Sequence, residues 1–351
     1  MGVYRSIIRP ALFRLDAERA HGLGKAMLRL DAPWNLLGPG KAVADPRLSV
    51  ELAGVRLSNP VGLAAGFDKD GEMLHAFQSL GFGYAIAGSI RGWPAGDNPS
   101  PKIIRYPERE SLINCQGVPS KGAADVARRL AAFRSHQTTL TVIANIIGFS
   151  VEEYIEALER VQPVADAIEI SLSCPNERYD SLDFLDPEIF RPLLEELNRR
   201  KTRPFFVKIR NYNSPAEREN RFRLIDLCLE LGVDGITLPG SRIEVEPRLS
   251  NGRGNLSGRA VLAGTIQNVR DVYAATGGRV PIKALGGIFT GQDAFDAVAA
   301  GASCVELLTG LVYEGWSVAQ RINAELLELL TKASIPDIRA LRGRAPTPAA
   351  T

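Results

Sequence analysis

The four cysteines, Cys115, Cys174, Cys228 and Cys304, form no Cys-x-x-Cys pair, and the three histidines, His21, His75 and His136, make no metal-ligand pattern. These absences argue against a zinc ribbon, an iron–sulfur cluster or a redox dithiol within the chain, so no metal is expected. A disulfide framework is also unexpected in a chain of this size and type. No run reaches the roughly 18 apolar residues of a membrane-spanning helix. The N-terminus lacks a signal-peptide core, so a cytosolic or cytosol-facing location is expected. A formal net charge of only +2 does not mark a nucleic-acid binder, and no such partner is expected. No catalytic carboxylate pair or Ser-His-Asp order stands out, which lowers the case for hydrolase chemistry.

What is present is a globular composition, 45% hydrophobic and 23% charged over 351 residues. From residue 60 onward short apolar runs alternate with helix-period segments. The predicted strands are Val61–Ala65, Tyr84–Ala87, Leu140–Ala144, Ala167–Leu172, Phe205–Ile209, Gly235–Leu238, Pro281–Leu285 and Cys304–Leu308. Between them lie amphipathic segments such as Val151–Val161, Pro187–Arg200, Glu217–Leu231, Gln292–Ala300 and Val318–Leu330. Continuous apolar strands separated by helices imply a parallel sheet covered on its outer face. Eight such units point to an α/β fold, a (β/α)8 TIM barrel with a small N-terminal helical hood. A doubly wound open sheet is the alternative, but its Gly-x-Gly-x-x-Gly loop after the first strand is absent. Leu48–Leu57 reads as a hairpin closing the bottom of the barrel.

Residues 1–40 carry two short amphipathic helices, the second with Asp16 as N-cap. Basic residues flank their apolar positions, a pattern that suits either an anionic membrane surface or simple packing on the barrel. The expected division is a helical segment over 1–45, a barrel over 46–332 and a flexible tail over 333–351. The Ala-, Pro- and Thr-rich stretch from Arg344 to Thr351 carries that last expectation.

In this fold the reactive face lies at the C-terminal ends of the strands. Polar residues or glycines stand at or just past the ends of all eight predicted strands: Gly66 and Lys69, Ser89, Asn145, the Cys174 segment, Lys208, Thr237, Gly286-Gly287, and Thr309-Gly310. The last two turns, with Ser257-Gly258, expose backbone N–H groups where barrels often hold a phosphate. Taken singly, each glycine pair is only a tight turn. Lys69 and Lys208 at the barrel mouth would stabilise negative charge on a reduced flavin. Together these features favour a mononucleotide such as FMN.

The stretch Ser171-Leu172-Ser173-Cys174-Pro175-Asn176 gathers a thiol, an amide and hydroxyls where the fourth strand gives way to a loop. A free cysteine is more often a small buried hydrophobe than a reactive group. A thiol with an ordinary pKa of about 8.5 can nevertheless serve as a base near neutral pH after modest tuning.

The segments Arg9–His21, Asn59–Gly71, Gly96–Pro99, Val207–Ile209, Leu256–Arg259, Gly286–Ile288 and Ala300–Ser303 resemble the membrane-associated, quinone-dependent class of dihydroorotate dehydrogenases. The likeness covers nearly the whole chain. It implies an FMN-containing barrel, peripheral on the cytoplasmic face of the inner membrane, with a hood that admits quinone. By position, Ala65, Gly66, Lys69, Ser89, Asn145, Lys208, Thr237, Gly258, Gly287, Thr309 and Gly310 would contact FMN. Asn114 and Asn176 would hold the substrate, with Lys69, Ser171 and Ser241 beside them. His21 and Arg105 would lie on the quinone path. Cys174 falls at the catalytic-base position, with Lys69 as its catalytic companion. The base would take a proton alpha to a carbonyl while a hydride passes to flavin N5.

The chain also departs from that class. Serine is usual at the base position, and Ser-Cys-Pro-Asn is the soluble-class form. Ser171 stands where an asparagine is expected, and Thr237–Ser241 replaces an Asn-Thr segment. Losing two amides from the site of a planar polar ligand costs roughly 1–3 kcal/mol each if the ligand's groups go unpaired. The resulting expectation is a paralogue acting on a different small cyclic or amide-like substrate. Dihydroorotate oxidation in pyrimidine biosynthesis is the alternative, and a catalytically inactive flavin-binding protein is a third reading.

Overall fold

The computed structural model describes residues 2–30, 34, 44–172, 183–212 and 214–344. A short hairpin of β1 (Val50–Leu52) and β2 (Val55–Leu57) precedes the barrel and buries Leu48, Leu52 and Leu57. Then follow β3 (Val61–Asp68), β4 (Tyr84–Ile90), β5 (Ile103–Tyr106), β6 (Ser111–Asn114), β7 (Thr141–Ile146), β8 (Ala167–Ser171), β9 (Phe205–Lys208), β10 (Gly235–Pro239), β11 (Arg242–Val245), β12 (Arg253–Gly258), β13 (Ile282–Leu285) and β14 (Cys304–Leu307). Strands β3, β4, β7, β8, β9, β10, β13 and β14 close an eight-stranded parallel barrel. They are the eight strands predicted from the apolar runs.

The helices begin where the sequence supplies acceptors for their free N–H groups. Ser150 accepts from Glu153 N at 3.3 Å to start Val151–Val161. Ser214 accepts from Glu217 N at 3.2 Å to start Pro215–Glu230. This second helix begins two residues before the apolar period suggests, because Pro215 is well suited to the first helical position. Thr290 and Asp293 form a reciprocal capping box at Gly291–Ala299. On Val151–Val161 the buried stripe is Tyr154, Ala157, Leu158 and Val161.

The barrel interior is filled by large side chains crossing over glycines. A Cβ on Gly62 would lie 2.1 Å from the Tyr84 ring, and one on Gly235 would lie 2.4 Å from Phe206. Tyr84 and Phe206 are wholly buried. Bare backbone opposite an aromatic ring is how this interior reaches close packing.

Apolar patterning gave no sign of a second sheet. Strands β11-β12-β6-β5 pair antiparallel over their own small core of Ile113, Cys115, Leu249, Leu256 and Val261. These strands are short, lie in the connections after β4 and β10, and carry charged residues between the apolar ones. Their pairing across distant segments leaves no local signal.

The N-terminal segment sits over the mouth. A π-helical turn, Tyr4–Ile8, runs into α1 (Arg9–Phe13), and α2 (Ala17–Leu28) follows. Asp16 caps α2 as expected, accepting from Glu18 N at 2.9 Å and Arg19 N at 3.2 Å. Tyr4 donates to Val312 O at 2.7 Å, Arg9 donates to Tyr313 O at 3.0 Å, and Phe13 meets Tyr313 edge-on at 5.2 Å. Glu18 accepts from Ser100 Oγ at 2.6 Å and from Lys102 N at 2.5 Å.

At the other end, part of the segment assigned to the tail is packed. Ile338 and Leu341 are buried, and Arg342 donates to the carbonyls of Gly301, Gly278 and Val280. The sequence beyond residue 332 is rich in small residues and charges, so two buried apolar anchors and a half-buried arginine were easily lost in its composition. Truncation after residue 344 should leave the urea midpoint unchanged. Truncation after residue 332 should lower stability by at least the roughly 2–5 kcal/mol of a buried aliphatic deletion; equal midpoints for the two would show that these anchors contribute nothing.

Candidate active site

A cavity of about 390 Å³ lies between the barrel mouth and the N-terminal helices. Its wall includes Ala65, Gly66, Lys69, Ser89, Lys208, Gly258, Gly287, Thr309 and Gly310, together with Asn114, Ser171, Ser241, His21 and Arg105. Most of the residues singled out from the sequence therefore meet around one space. Cys174 and Asn176 lie outside the described residues.

At one end of the cavity three turns converge. Ser257 and Thr309 are hydroxyl to hydroxyl at 2.9 Å. Gly258, with φ of +100°, has no room for a side chain: a Cβ there would lie 2.5 Å from Glu110 O and 3.0 Å from Thr309. Gly287, with φ of +80°, would place a Cβ 2.5 Å from Leu262. Bare backbone at adjacent turns is the arrangement that lets N–H groups approach an anion.

The loop after β3 is pinned by Asp68, which accepts from Glu72 N at 2.8 Å and Met73 N at 2.9 Å. Burial raises the Asp68 carboxyl to about 6 despite these bonds. Lys69 follows it directly into the cavity wall. Burial alone would also raise Glu72, but Lys121, Arg129 and Arg29 surround it and bring it down to about 2. Arg29 is the residue at the C-terminal end of α2, so this cluster ties the hood to the mouth.

Asn145 and Thr237 are fully buried and lie just beneath the cavity wall. Asn145 donates to Glu169 Oε1 at 2.6 Å and to Ser171 Oγ at 2.9 Å, and Thr237 donates to Glu169 Oε2 at 2.5 Å. Lys283 bonds the same carboxylate at 2.5 Å and reaches Glu306 at 3.0 Å. Burial pushes Glu169 up, but Lys283 and Lys208 outweigh it and hold Glu169 below the usual carboxylate range. Glu306 is raised, burial being its main cause. Nothing in the sequence pattern marks this cluster. Its members sit singly inside apolar strands, where only the closed barrel brings them together.

The hood end of the cavity is apolar, lined by Ile8, Leu12, Phe13, Met27, Trp34, Leu308, Val312 and Trp316. Arg105 stacks on Phe13 at 4.5 Å and donates to Leu12 O at 3.4 Å and to Leu15 O. It therefore caps α1 as well as lining the cavity. His21 packs edge-on to Phe67 at 5.6 Å. Burial, reinforced by Lys25 and Lys69, lowers His21 from 6.5 to about 4, so it is neutral at neutral pH.

A dihydroorotate dehydrogenase family profile matches residues 47–330. The chain belongs to the dihydroorotate dehydrogenase family. Members of this family are oxidoreductases that use FMN. Similar curated proteins include the dihydroorotate dehydrogenase (quinone) of Chloroflexus aurantiacus, 36% identical over 92% of this chain and 96% of that one. That of Roseiflexus castenholzii is 35% identical over 96% and 95%. Among solved structures, ligand-free dihydroorotate dehydrogenase from Eimeria tenella superposes with a TM-score of 0.83 at 30% identity, covering 95% of this chain and all of that one. The same enzyme in complex with ferulenol gives 0.80 at 29%, covering 94% and 95%.

The neutral state of His21 has a measurable consequence. Between pH 6.5 and 4 the unfolded chain binds a proton at this position that the folded chain does not, so folding stability falls as the pH is lowered. Changing His21 to Gln removes that dependence. The stability advantage of wild type over this variant should shrink by roughly 2–3 kcal/mol between pH 7.5 and 4.5 in urea titrations. A difference independent of pH would mean that His21 is not desolvated.

Proposed function

We propose that the chain is an FMN-dependent dehydrogenase that removes two hydrogens from adjacent carbons of a small cyclic amide and passes the electrons to a quinone. One observation carries this reading: a single cavity joins a polar floor at the barrel mouth to an apolar chamber under the hood. A polar substrate and an apolar acceptor can thus be served from one cofactor position.

The residues present fit FMN. The turns at Gly258, Gly287 and Thr309-Gly310 would hold its phosphate, and Lys69 and Lys208 would face its ring system. FMN supplies the hydride acceptor at N5, and the protein positions and polarises. Lys208 and Lys69 favour negative charge at the floor. Asn114 and Ser171 offer hydrogen bonds to the substrate from two sides. Cys174 is assigned the base, taking a proton alpha to a carbonyl.

Dihydroorotate is the substrate that the names of the full-length relatives make the first choice, which would place the reaction in pyrimidine biosynthesis. A different cyclic or amide-like substrate is the second reading, favoured by Ser171. Its hydroxyl is already engaged with Asn145, at 2.9 Å from Nδ2 and 3.3 Å from Oδ1, and it offers less to a planar ligand than an amide would. Purified protein should be yellow with non-covalent FMN. Anaerobic addition of dihydroorotate should bleach it, and Cys174→Ala should abolish the bleaching with FMN still bound. Wild-type flavin that stays oxidised with dihydroorotate but bleaches with another cyclic amide would select the second reading.

A peripheral position on the cytoplasmic face of the inner membrane fits the hood. No helix among the described residues is long and apolar enough to cross a membrane. Yet among the described residues six of the eight exposed large hydrophobic side chains fall in the first 30 positions: Val3, Ile7, Leu15, Leu23, Met27 and Leu30. Ile7→Glu together with Leu23→Glu should weaken co-sedimentation with anionic vesicles. Turnover with a long-chain quinone should fall while substrate-driven flavin reduction is spared; equal loss of both would mean that the hood only supports the fold.

A further inference from the structure

Glu169, Lys283 and Glu306 are three charged residues with no solvent exposure at all, inside a barrel that apolar side chains could fill. Removing such groups from water is expensive, and well-packed apolar replacements are often at least as stable. Stability alone therefore does not explain their presence. Glu306 Oε2 is buried and receives no hydrogen bond from another protein group among the described residues.

The bonds of this cluster lead to the cavity. Glu169 accepts from Asn145 at 2.6 Å and from Thr237 at 2.5 Å, on β7 and β10. Asn145 bonds Ser171, which is on the cavity wall. Lys208, on the same wall, is the register neighbour of both Ser171 and Thr237. With Nδ2 of Asn145 drawn to the carboxylate, the amide has one allowed orientation, because the flipped form would set Oδ1 against Glu169. Both ends of the amide then meet the Ser171 hydroxyl, Nδ2 at 2.9 Å and Oδ1 at 3.3 Å. Lys283 is the cation that makes a carboxylate tolerable here, reaching across the barrel interior from β13 to bond Glu169 on β8 at 2.5 Å.

We propose that Glu169 and Lys283 are positioning residues for the flavin site. Glu169 fixes Asn145 and Thr237 beneath the ring, and Lys283 balances its charge, so that the pair sets the electrostatic potential of the cavity floor. This inference rests on the FMN reading above.

The test uses FMN-loaded full-length protein and the variants Glu169→Gln, Lys283→Met and the double change. Each is assayed for its flavin midpoint potential by dye-coupled reduction and for its thermal midpoint. Adding electrons to the flavin adds negative charge, which a nearby carboxylate opposes and a nearby ammonium favours. Glu169→Gln should shift the potential upward, Lys283→Met should shift it downward, and the double variant should return towards wild type. Opposite signs are not produced by loosened packing. If Lys283→Met does not fold, the upward shift of Glu169→Gln and its reversal in the charge-balanced double variant carry the test. Yellow variants with unshifted potentials, or single variants shifted in the same direction, overturn the inference and leave the FMN reading intact. Wild-type protein that cannot be loaded with FMN overturns the reading and the inference with it.

Discussion

Everything at the site depends on closure of the sheet. β14 pairs with β3, Val305 opposite Val61, and β9 pairs with β10, Phe206 opposite Gly235. Once these ladders are made, eight parallel strands end on one rim, and groups from distant parts of the chain become neighbours there. Lys69, Lys208 and Gly287 share a wall for this reason alone. Closure also creates an interior that must be filled. Here Tyr84 and Phe206 fill it side by side with the charged groups: Glu169 is the register partner of Phe206, Lys283 Nζ lies 5.1 Å from the Phe206 ring, and Tyr84 reaches Glu306. Packing and polarity are thus interleaved within one interior.

The hood uses a different kind of adhesion. Tyr4, Arg9 and Phe13 bond or stack on the segment around Tyr313, and Glu18 reaches the loop leading to β5. These are point contacts of polar and aromatic groups at the edges, with an apolar chamber left between. A hood glued down by a continuous core would leave no chamber. The exposed apolar side chains of the hood and the open volume beneath it follow from the same arrangement.

The barrel strands were legible because burial on both faces makes a continuous apolar run, and none of the eight was misplaced. The glycine turns and mouth lysines were legible for a related reason: each directly follows such a run. The antiparallel sheet was not, since Arg242–Val245 and Arg253–Gly258 carry charges and pair only through distant partners. Lys283 and Glu306 were hidden by their setting. A lone charge within Ile282–Leu285 or Cys304–Leu307 reads locally as an outward-facing residue, and only the inward turn of the strand reveals that the two meet. Cys174 remains a reading of sequence, lying outside the described residues.

The contact between Gly62 and Tyr84 constrains how this sequence can change over generations. Any side chain at residue 62 collides with the ring, and loss of the ring leaves a hole opposite a bare backbone. Tyr84 also donates within reach of Cys304, Val305 and Glu306, so shrinking it strands polar atoms as well. Neither position can drift by itself without passing through a poorer protein. The two behave as one heritable unit, and through Glu306 that unit extends to the charged interior beneath the site.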